Sequence, residues 1–460
     1  MKVLITGATG VIGRSTASEL LGRGHVVRLL SRNARQDADA WDGAVEPFPA
    51  DIGDPEAVYG AAEGCHAVIH IAGILEESPP DVTYERINLG GTANMAVEAS
   101  RAGAHRMVFV SSLGVERGSS AYHESKRAAE EVIRASDIDW VIVRPGSVLG
   151  PGDEAISLLL RMVRVLPVIP VIEAGDQEFQ PIWHEDMAWA LAECVERQDM
   201  SGRTLEVAGP ERITVDELID DFAELTGRRP PRVPLPRAFA RLGAELAVAL
   251  GVETLIKPAT ITMLMEGNTI PPGHPNGLTD VLGREVAPIA DRLEQLADAL
   301  PEQTPEQGVG ALERRRFRVE IRNAQCSAQE LLEKVRSRFD DFVAFDAEAE
   351  PGTDSRIEVG ATLSLELPPR GHAQVRVEEI DDRSITLATV EGHPLAGVVR
   401  FEFLESDNGV LTFTIDLAER PATRLDQMVM ALVGRSTQRR AWSETAERVV
   451  RASGGEAPQG

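Results

Sequence analysis

Residues 3–14 read VLITGATGVIGR: an apolar run, then glycines at 7, 10 and 13, then residues with helical spacing. The run suits a strand buried on both faces of a parallel sheet. The glycines suit the turn that follows: the first for a sharp bend, the second for close approach of the backbone to a pyrophosphate, the third for packing helix on strand. The helix N-terminus would then offer free N–H groups and a positive dipole end to phosphate. The predicted contacts in this turn are Gly7, Thr9, Gly10, Val11, Ile12, Gly13 and Arg14. The stretch predicts a dinucleotide-binding βαβ unit at the start of an α/β, doubly wound parallel sheet of the Rossmann type.

Working outward, strands are predicted at 3–6, 26–30, 45–50, 67–71, 107–111 and 140–143, with helices beginning near Val11, Pro55, Asn88 and Ala121. Residues 146–300 are broken by Pro167, Pro170 and Pro181 and contain the capped helical stretch TVDELIDDFAELTG, so they predict a small second lobe on a first domain of residues 1–300. PEQTPEQGVG is polar and rich in Pro and Gln, which predicts a linker at 301–311. Beyond it apolar residues alternate at Leu363 and Leu365, Val375 and Val377, Ile385 and Leu387, Phe401 and Phe403, and Phe413 and Ile415. That period of two predicts an antiparallel meander, preceded by the helix SAQELLEKVRSRF and followed by a long helix from about 423 to 452, in an α+β domain of residues 312–453. Residues 454–460 are expected to be a disordered tail.

The formal charge of −26 would repel phosphate backbones and excludes nucleic acid as the expected partner. The 3 cysteines are far apart and lack CxxC spacing, and no clustered His and carboxylate motif is present, so neither disulfides nor a metal site are expected. No stretch has the length and apolarity of a membrane span, and no secretory segment precedes the first strand; the expectation is a cytoplasmic protein with a small-molecule substrate, and a homo-oligomer or a protein partner is open.

At the end of the second strand, where an acidic side chain would hold the ribose of NAD, stand Ser31 and Arg32. An arginine there, with Arg14 near, fits the extra 2′-phosphate and predicts NADP rather than NAD. Tyr122 and Lys126 lie four apart on a predicted helix and therefore share a face. An ammonium beside a phenol favours the phenolate, so the pair suits proton transfer coupled to hydride transfer. Of the 47 basic residues only Lys2, Lys126, Lys257 and Lys334 are lysine, which makes a compact point charge at this position notable.

PADIGD (49–54), HIAG (70–73), NLGGT (88–92), VSS (110–112), YHESK (122–126) and RPGSVLGPGD (144–153), in that order, resemble the motifs of the extended and atypical branches of the short-chain dehydrogenase/reductase superfamily. The resemblance implies Asp51 and Ile52 at the adenine, Ala72 and Gly73 along the pyrophosphate and ribose, and Pro145, Gly146, Ser147 and Val148 near the nicotinamide. It also implies a catalytic set of Ser112, Tyr122, Lys126 and Asn88, with Ser111 on the cofactor side. The atypical branch containing the NADPH-binding accessory subunit of respiratory complex I is most similar, and many of its members bind nucleotide without turning it over. The readings left open are an NADP-dependent oxidoreductase acting on a small or hydrophobic carbonyl or alcohol, a silent NADPH-binding sensor or assembly protein, and a nucleotide-sugar epimerase or dehydratase. His184, in PIWHED, is expected to be a structural histidine. ATVEGHPLAGVVRFEF and LTFTIDLAERPAT are similar to START-like (SRPBCC) domains, which implies a helix-grip fold for the C-terminal part.

Overall fold

The computed structural model describes residues 1–41, 43–153, 156–239, 268–344, 347–349, 356–367, 371–429 and 435–457. Two compact units emerge: Met1–Ile156 with Val171–Leu218 and Pro234–Leu296, and Ser157–Pro170 with Ile219–Val233 and Ala297–Gly460.

The first unit is built on β1 (Lys2–Thr6), α1 (Val11–Gly22), β2 (Val26–Ser31), β3 (Val45–Pro49), β4 (Ala67–His70), α2 (Gly91–Arg101), β5 (Arg106–Val110), α3 (Ala121–Ala135), β6 (Trp140–Pro145), α4 (Ile156–Val165), α5 (His184–Glu196), β7 (Arg203–Val207) and α6 (Val215–Thr226), of which α4 and the end of α6 pass to the second unit. The sheet is a 7-stranded one in the order β7-β6-β5-β4-β1-β2-β3. Every neighbouring pair in it is parallel. Helices cover both faces. On one, Ala17 and Leu20 of α1 pack with Met187, Leu191 and Cys194 of α5; on the other, Met95 and Ala99 of α2 pack with Ala129 and Ile133 of α3. Burial on both sides explains why the strand sequences are continuous apolar runs rather than alternating ones.

Three local readings change. The seventh strand, Arg203–Val207, lies beyond the six predicted and pairs in register with Val141 to Pro145. No helix begins at Pro55; the segment is a chain of tight turns, with Tyr59 N–H to Glu56 O at 3.3 Å and Ala61 N–H to Val58 O at 3.0 Å. Gly60, at φ 84°, cannot continue a right-handed helix there. Near Asn88 a π-helical turn, Glu85–Gly90, precedes α2. The capped helix expected at TVDELIDDFAELTG is α6, whose Thr214 N–H donates to the Glu217 carboxylate at 2.7 Å while Glu217 N–H returns to the Thr214 hydroxyl at 3.1 Å.

The second unit carries an antiparallel sheet: β8 (Glu302–Gln303), β9 (Glu313–Ile321), β10 (Ala347–Ala349), β11 (Thr362–Leu367), β12 (Gly371–Ile380), β13 (Ser384–Val390), β14 (Leu395–Glu405) and β15 (Leu411–Pro421), with α7 (Ala328–Ser337) and α8 (Phe339–Phe342) between β9 and β10. Its order is β9-β15-β14-β13-β12-β11-β10, and β8 joins β13. The turn between β12 and β13 closes with Asp381 N–H to Ser384 O at 3.0 Å, and the one between β14 and β15 with Ser406 N–H to Val410 O at 3.1 Å. The expected long helix is seen as α9 (Arg424–Val429) and α10 (Arg435–Ser453), with 430–434 outside the described residues. The alternating aromatics form the core: Phe401 stacks on Phe413 at 6.2 Å, Phe403 meets Phe413 at 4.9 Å, and Trp442 of α10 closes on Phe401 at 6.1 Å.

The polar stretch 301–311 is not a free linker: Glu302 and Gln303 pair with Val390 and Thr389, and Thr304 and Gln307 cap each other around a short turn. The tail expected to be disordered begins with a pairing, a bridge between Glu456 and Arg322. Polar composition disfavours a core but does not forbid adding an edge strand, which needs backbone groups only. Among the described residues no helix is long and apolar enough to cross a membrane.

Candidate functional site

The glycine turn fits a dinucleotide. Gly7 has φ 72°, and a Cβ there would lie 2.8 Å from the Ala72 nitrogen, so the end of β1 and the loop after β4 run in contact. Ala72 N–H donates to the Thr6 hydroxyl at 3.2 Å across the same junction. A Cβ on Gly13 would sit 2.2 Å from the Gly7 carbonyl oxygen, so only glycine lets α1 pack this closely on the turn. At Gly10 the nearest atom to such a Cβ is 3.8 Å away, which leaves the space above the turn open. The first turn of α1, Val11, Ile12 and Gly13, carries no acidic residue, so its positive end is unopposed. Arg14 is pinned to the turn by its Nε–H to Thr9 O at 3.0 Å.

Just past the end of β2, Arg32 is exposed, and no hydrogen bond or ion pair of its guanidinium is seen among the described residues. Ser31 instead donates to the Asp37 carboxylate. Burial pushes the Asp51 carboxyl up, but the Arg86 guanidinium, the Gly53 N–H and the charge of Arg32 outweigh it and hold the group below the usual range. Arg86 donates to the Asp51 carboxylate at 2.7 Å, and Gly53 N–H donates to it at 2.9 Å. Ile52 is buried against Gly91, facing the core. Gly146 N–H donates to Val207 O at 2.8 Å and the Ser147 hydroxyl accepts from Asn268 at 2.9 Å, while Val148 pairs with Ile182; with Pro145 ending β6, this segment is held between β7 and the second lobe.

The three candidate catalytic side chains are all buried, Tyr122 and Lys126 one turn apart on α3 and Ser112 just past the end of β5. Ser120 caps α3 and so places Tyr122 in its first turn and Lys126 one turn on. Tyr122 is 7% exposed, Lys126 5% and Ser112 8%. Burial pushes the Tyr122 phenol up to about 12, although its hydrogen bond with the Ser112 hydroxyl favours the ionised form. Burial likewise drives the Lys126 ammonium down to about 8, opposed by the negative charge of Glu130. Lys126 donates to Val110 O at 2.9 Å and lies 5.0 Å from the centre of the Phe109 ring. A Cβ on Gly73 would be 3.2 Å from both the Lys126 Nζ and the Asn88 Oδ1, so these three meet. Asn88 ties the π-turn to its neighbours, accepting from Ile74 N–H at 2.8 Å and donating to Ser125 Oγ at 3.0 Å. Ser111 is buried beside Ser112 at the end of β5. His70, held between the hydroxyls of Thr6 at 2.7 Å and Thr92 at 3.1 Å, is driven down to about 3 by burial and by Lys126, and stays neutral.

His184 starts α5, hydrogen-bonds Ser15 of α1 at 2.6 Å and is packed against Gly150. Those contacts join helices. Among the described residues no group of three or more His, Cys, Asp or Glu is placed to hold a metal ion.

Four residues of the site neighbourhood escaped the sequence reading. Tyr84 stands edge-on to Tyr122 at 6.3 Å between ring centres. Arg86 grips Asp51. Glu130 and Arg144 form a buried, two-pronged ion pair at 2.8 and 2.7 Å. Glu130 had a signal: it lies eight residues after Tyr122, on the buried face of α3, where a carboxylate needs a partner.

Residues 7–159 match the family described as NAD(P)H-binding. A protein of Caulobacter vibrioides named ceramide reductase is 33% identical over 235 residues, 51% of this chain and 73% of its own. Sterol demethylase protein B of Methylococcus capsulatus is 30% identical over 266 residues, 51% of this chain and 78% of its own. A mitochondrial subunit of NADH dehydrogenase from Arabidopsis thaliana, alpha subcomplex subunit 9, is 26% identical over 245 residues, 52% of this chain and 61% of its own. Among solved structures, the NADPH-dependent quinone oxidoreductase QOR2 of Escherichia coli, complexed with NADPH, has a TM-score of 0.52 at 19% identity and covers 64% of this chain and 99% of its own. Given the glycine turn, the parallel sheet and these relatives, the chain belongs to the NAD(P)-binding, epimerase/dehydratase-like short-chain dehydrogenase/reductase superfamily.

Proposed function

We propose that this protein is an NADPH-dependent reductase of a hydrophobic carbonyl compound, or the corresponding alcohol dehydrogenase, with Ser112, Tyr122 and Lys126 as catalytic residues. The hydrogen bond of Tyr122 with Ser112, with Lys126 buried one helical turn on, supports the reading. The nicotinamide cofactor, when bound on the glycine turn, supplies or accepts the hydride. Ser112 then holds the substrate oxygen by its hydroxyl, and Tyr122 gives that oxygen its proton. The Lys126 ammonium stabilises the phenolate left on Tyr122. Asn88, through Ile74 and Ser125, fixes the π-turn and α3 to each other, so the phenol and ammonium keep their spacing.

Arg32, exposed and without a protein partner among the described residues, supports NADP over NAD through the 2′-phosphate. Two relatives whose names denote ceramide and sterol chemistry support a hydrophobic substrate. So does the buried apolar cluster of Leu113, which follows Ser112 in the chain, with Ala208 and Ile270. For the C-terminal part, strand, helices, antiparallel meander and closing helix support a START-like reading over residues 312–453. The groove of about 620 Å³ between β9 and α10, floored by Phe317, Val319, Ala446 and Val450, is a place for an apolar ligand.

Tyr122→Phe, assayed for NADPH oxidation against a panel of ketones and quinones, should lose roughly a hundredfold or more in kcat while NADPH affinity holds. Undiminished turnover by the variant refutes the catalytic assignment. Wild-type protein that binds NADPH yet turns over none of the panel supports instead the nucleotide-holding role suggested by the similarity to the NADH dehydrogenase subunit.

A further inference from the structure

One guanidinium connects the three segments that carry the proposed chemistry. Arg144 is the next-to-last residue of β6, just before Pro145-Gly146-Ser147-Val148, and its Nε and Nη2 grip the Glu130 carboxylate of α3 at 2.8 and 2.7 Å. Its remaining arm, Nη1, reaches Glu116 at 2.7 Å on the loop that begins at Ser112. Tyr122, Lys126 and Glu130 follow one another at four-residue spacing along α3, and all three are buried.

We propose that Glu130, locked in place by Arg144, is a positioning residue that keeps Lys126 charged and correctly set for the reaction proposed above. The role rests on that reading; the electrostatic link does not. A buried ion pair is weak evidence for stability alone, because an apolar pair of similar size often serves as well. Glu130 is 0% exposed and one helical turn from the only lysine of the cluster. Burial works against the ammonium, and the groups around Lys126 divide as follows: Glu130 on its own helix favours the charge, Tyr122 on the same helix and His70 from β4 are neutral at pH 7, and Asn88 from the π-turn carries none. Arg144 lies behind Glu130 and holds the carboxylate ionised: desolvation alone would raise its pKa, but the bonds from Arg144, aided by Arg134, bring it below the ordinary value. Removing the negative charge leaves burial unopposed, so the ammonium must lose its proton at lower pH.

The protein has four lysines, so full-length protein labelled with ¹³C at lysine Cε gives four resonances, and a Lys126→Arg variant identifies the one of interest. In Glu130→Gln the Lys126 midpoint should fall by roughly one pH unit. Lys2 and Lys334 serve as internal standards, and Glu131→Gln, at an exposed neighbouring position, should leave the midpoint in place. Because breaking a buried pair can unfold a protein, Glu130→Gln/Arg144→Gln provides a variant with both charges removed, and it should show a downward shift that is smaller, because the repulsion from Arg144 is removed as well. A midpoint unmoved in either folded variant overturns the proposal. The titration needs no turnover, so an inactive wild-type enzyme with a shifting Lys126 sinks the reductase reading alone, and an active enzyme with an unmoved Lys126 sinks the positioning role alone.

Discussion

Arg32 and Lys126 are cations set in opposite surroundings. Arg32 is exposed with its guanidinium unengaged among the described residues, whereas Lys126 is buried and pushed toward its neutral form. An exposed arginine becomes valuable only when a phosphate arrives, since charge-assisted hydrogen bonds are worth about 1.5–3 kcal/mol. Arg32→Ala should therefore weaken NADPH binding by roughly tenfold or more while changing NADH binding little; fluorescence titration with both nucleotides checks this, and equal losses for the two would remove Arg32 from the 2′-phosphate. Tyr122 and Lys126 were legible because four-residue spacing on a helix fixes their common face. The Asp51–Arg86 and Glu130–Arg144 pairs were not, because their members are 35 and 14 residues apart and meet only when strands and helices have packed.

Among elements, the turn from β1 into α1 is the most demanding. The Gly13 position leaves no room for even a methyl group, since a Cβ would fall 2.2 Å from a backbone oxygen that cannot swing aside. Gly13→Ala should destabilise the protein by about 1–3 kcal/mol, as overpacking of a close contact does, and should cut NADPH affinity because the helix end is displaced. Urea unfolding and nucleotide titration read the two effects; an alanine variant with wild-type stability and affinity would show that α1 can slide without consequence. The seventh strand was missed because RTLEV is short and follows a helix of the less regular lobe, so only its parallel register with β6 identifies it. The turns at Pro55 were misread because propensity around Asp54 and Glu56 favours a helix, whereas Gly60 and Gly64 at positive φ prevent one from extending.

At the scale of the whole molecule, the chain leaves and re-enters its units. Residues 157–170 and 219–233 belong with the C-terminal sheet although they fall in the middle of the N-terminal sequence. Within that second unit Arg164 of α4 is only 1% exposed, Gln374 of β12 donates to its carbonyl at 3.4 Å, and Arg161 pairs with Glu391. A fragment ending at residue 300 would leave Arg161 and Arg164 without these partners. It should bind a hydrophobic dye and lose cooperative thermal unfolding relative to the full chain; a fragment melting as sharply as intact protein would mean that α4 needs no sheet behind it.

The sequence by itself determined the parallel sheet, the nucleotide turn, the shared helix face of Tyr122 and Lys126 and the antiparallel character of the C-terminal part, because each follows from a short-range rule: a period of two, a spacing of four, or glycines at fixed offsets. Tertiary structure alone decided the seventh strand, the pairing of 302–303, the allegiance of 157–170 and the Arg144 clamp. These depend on which apolar face and which buried charge find each other across long stretches of chain, and such pairing is settled by packing and desolvation rather than by neighbours in sequence.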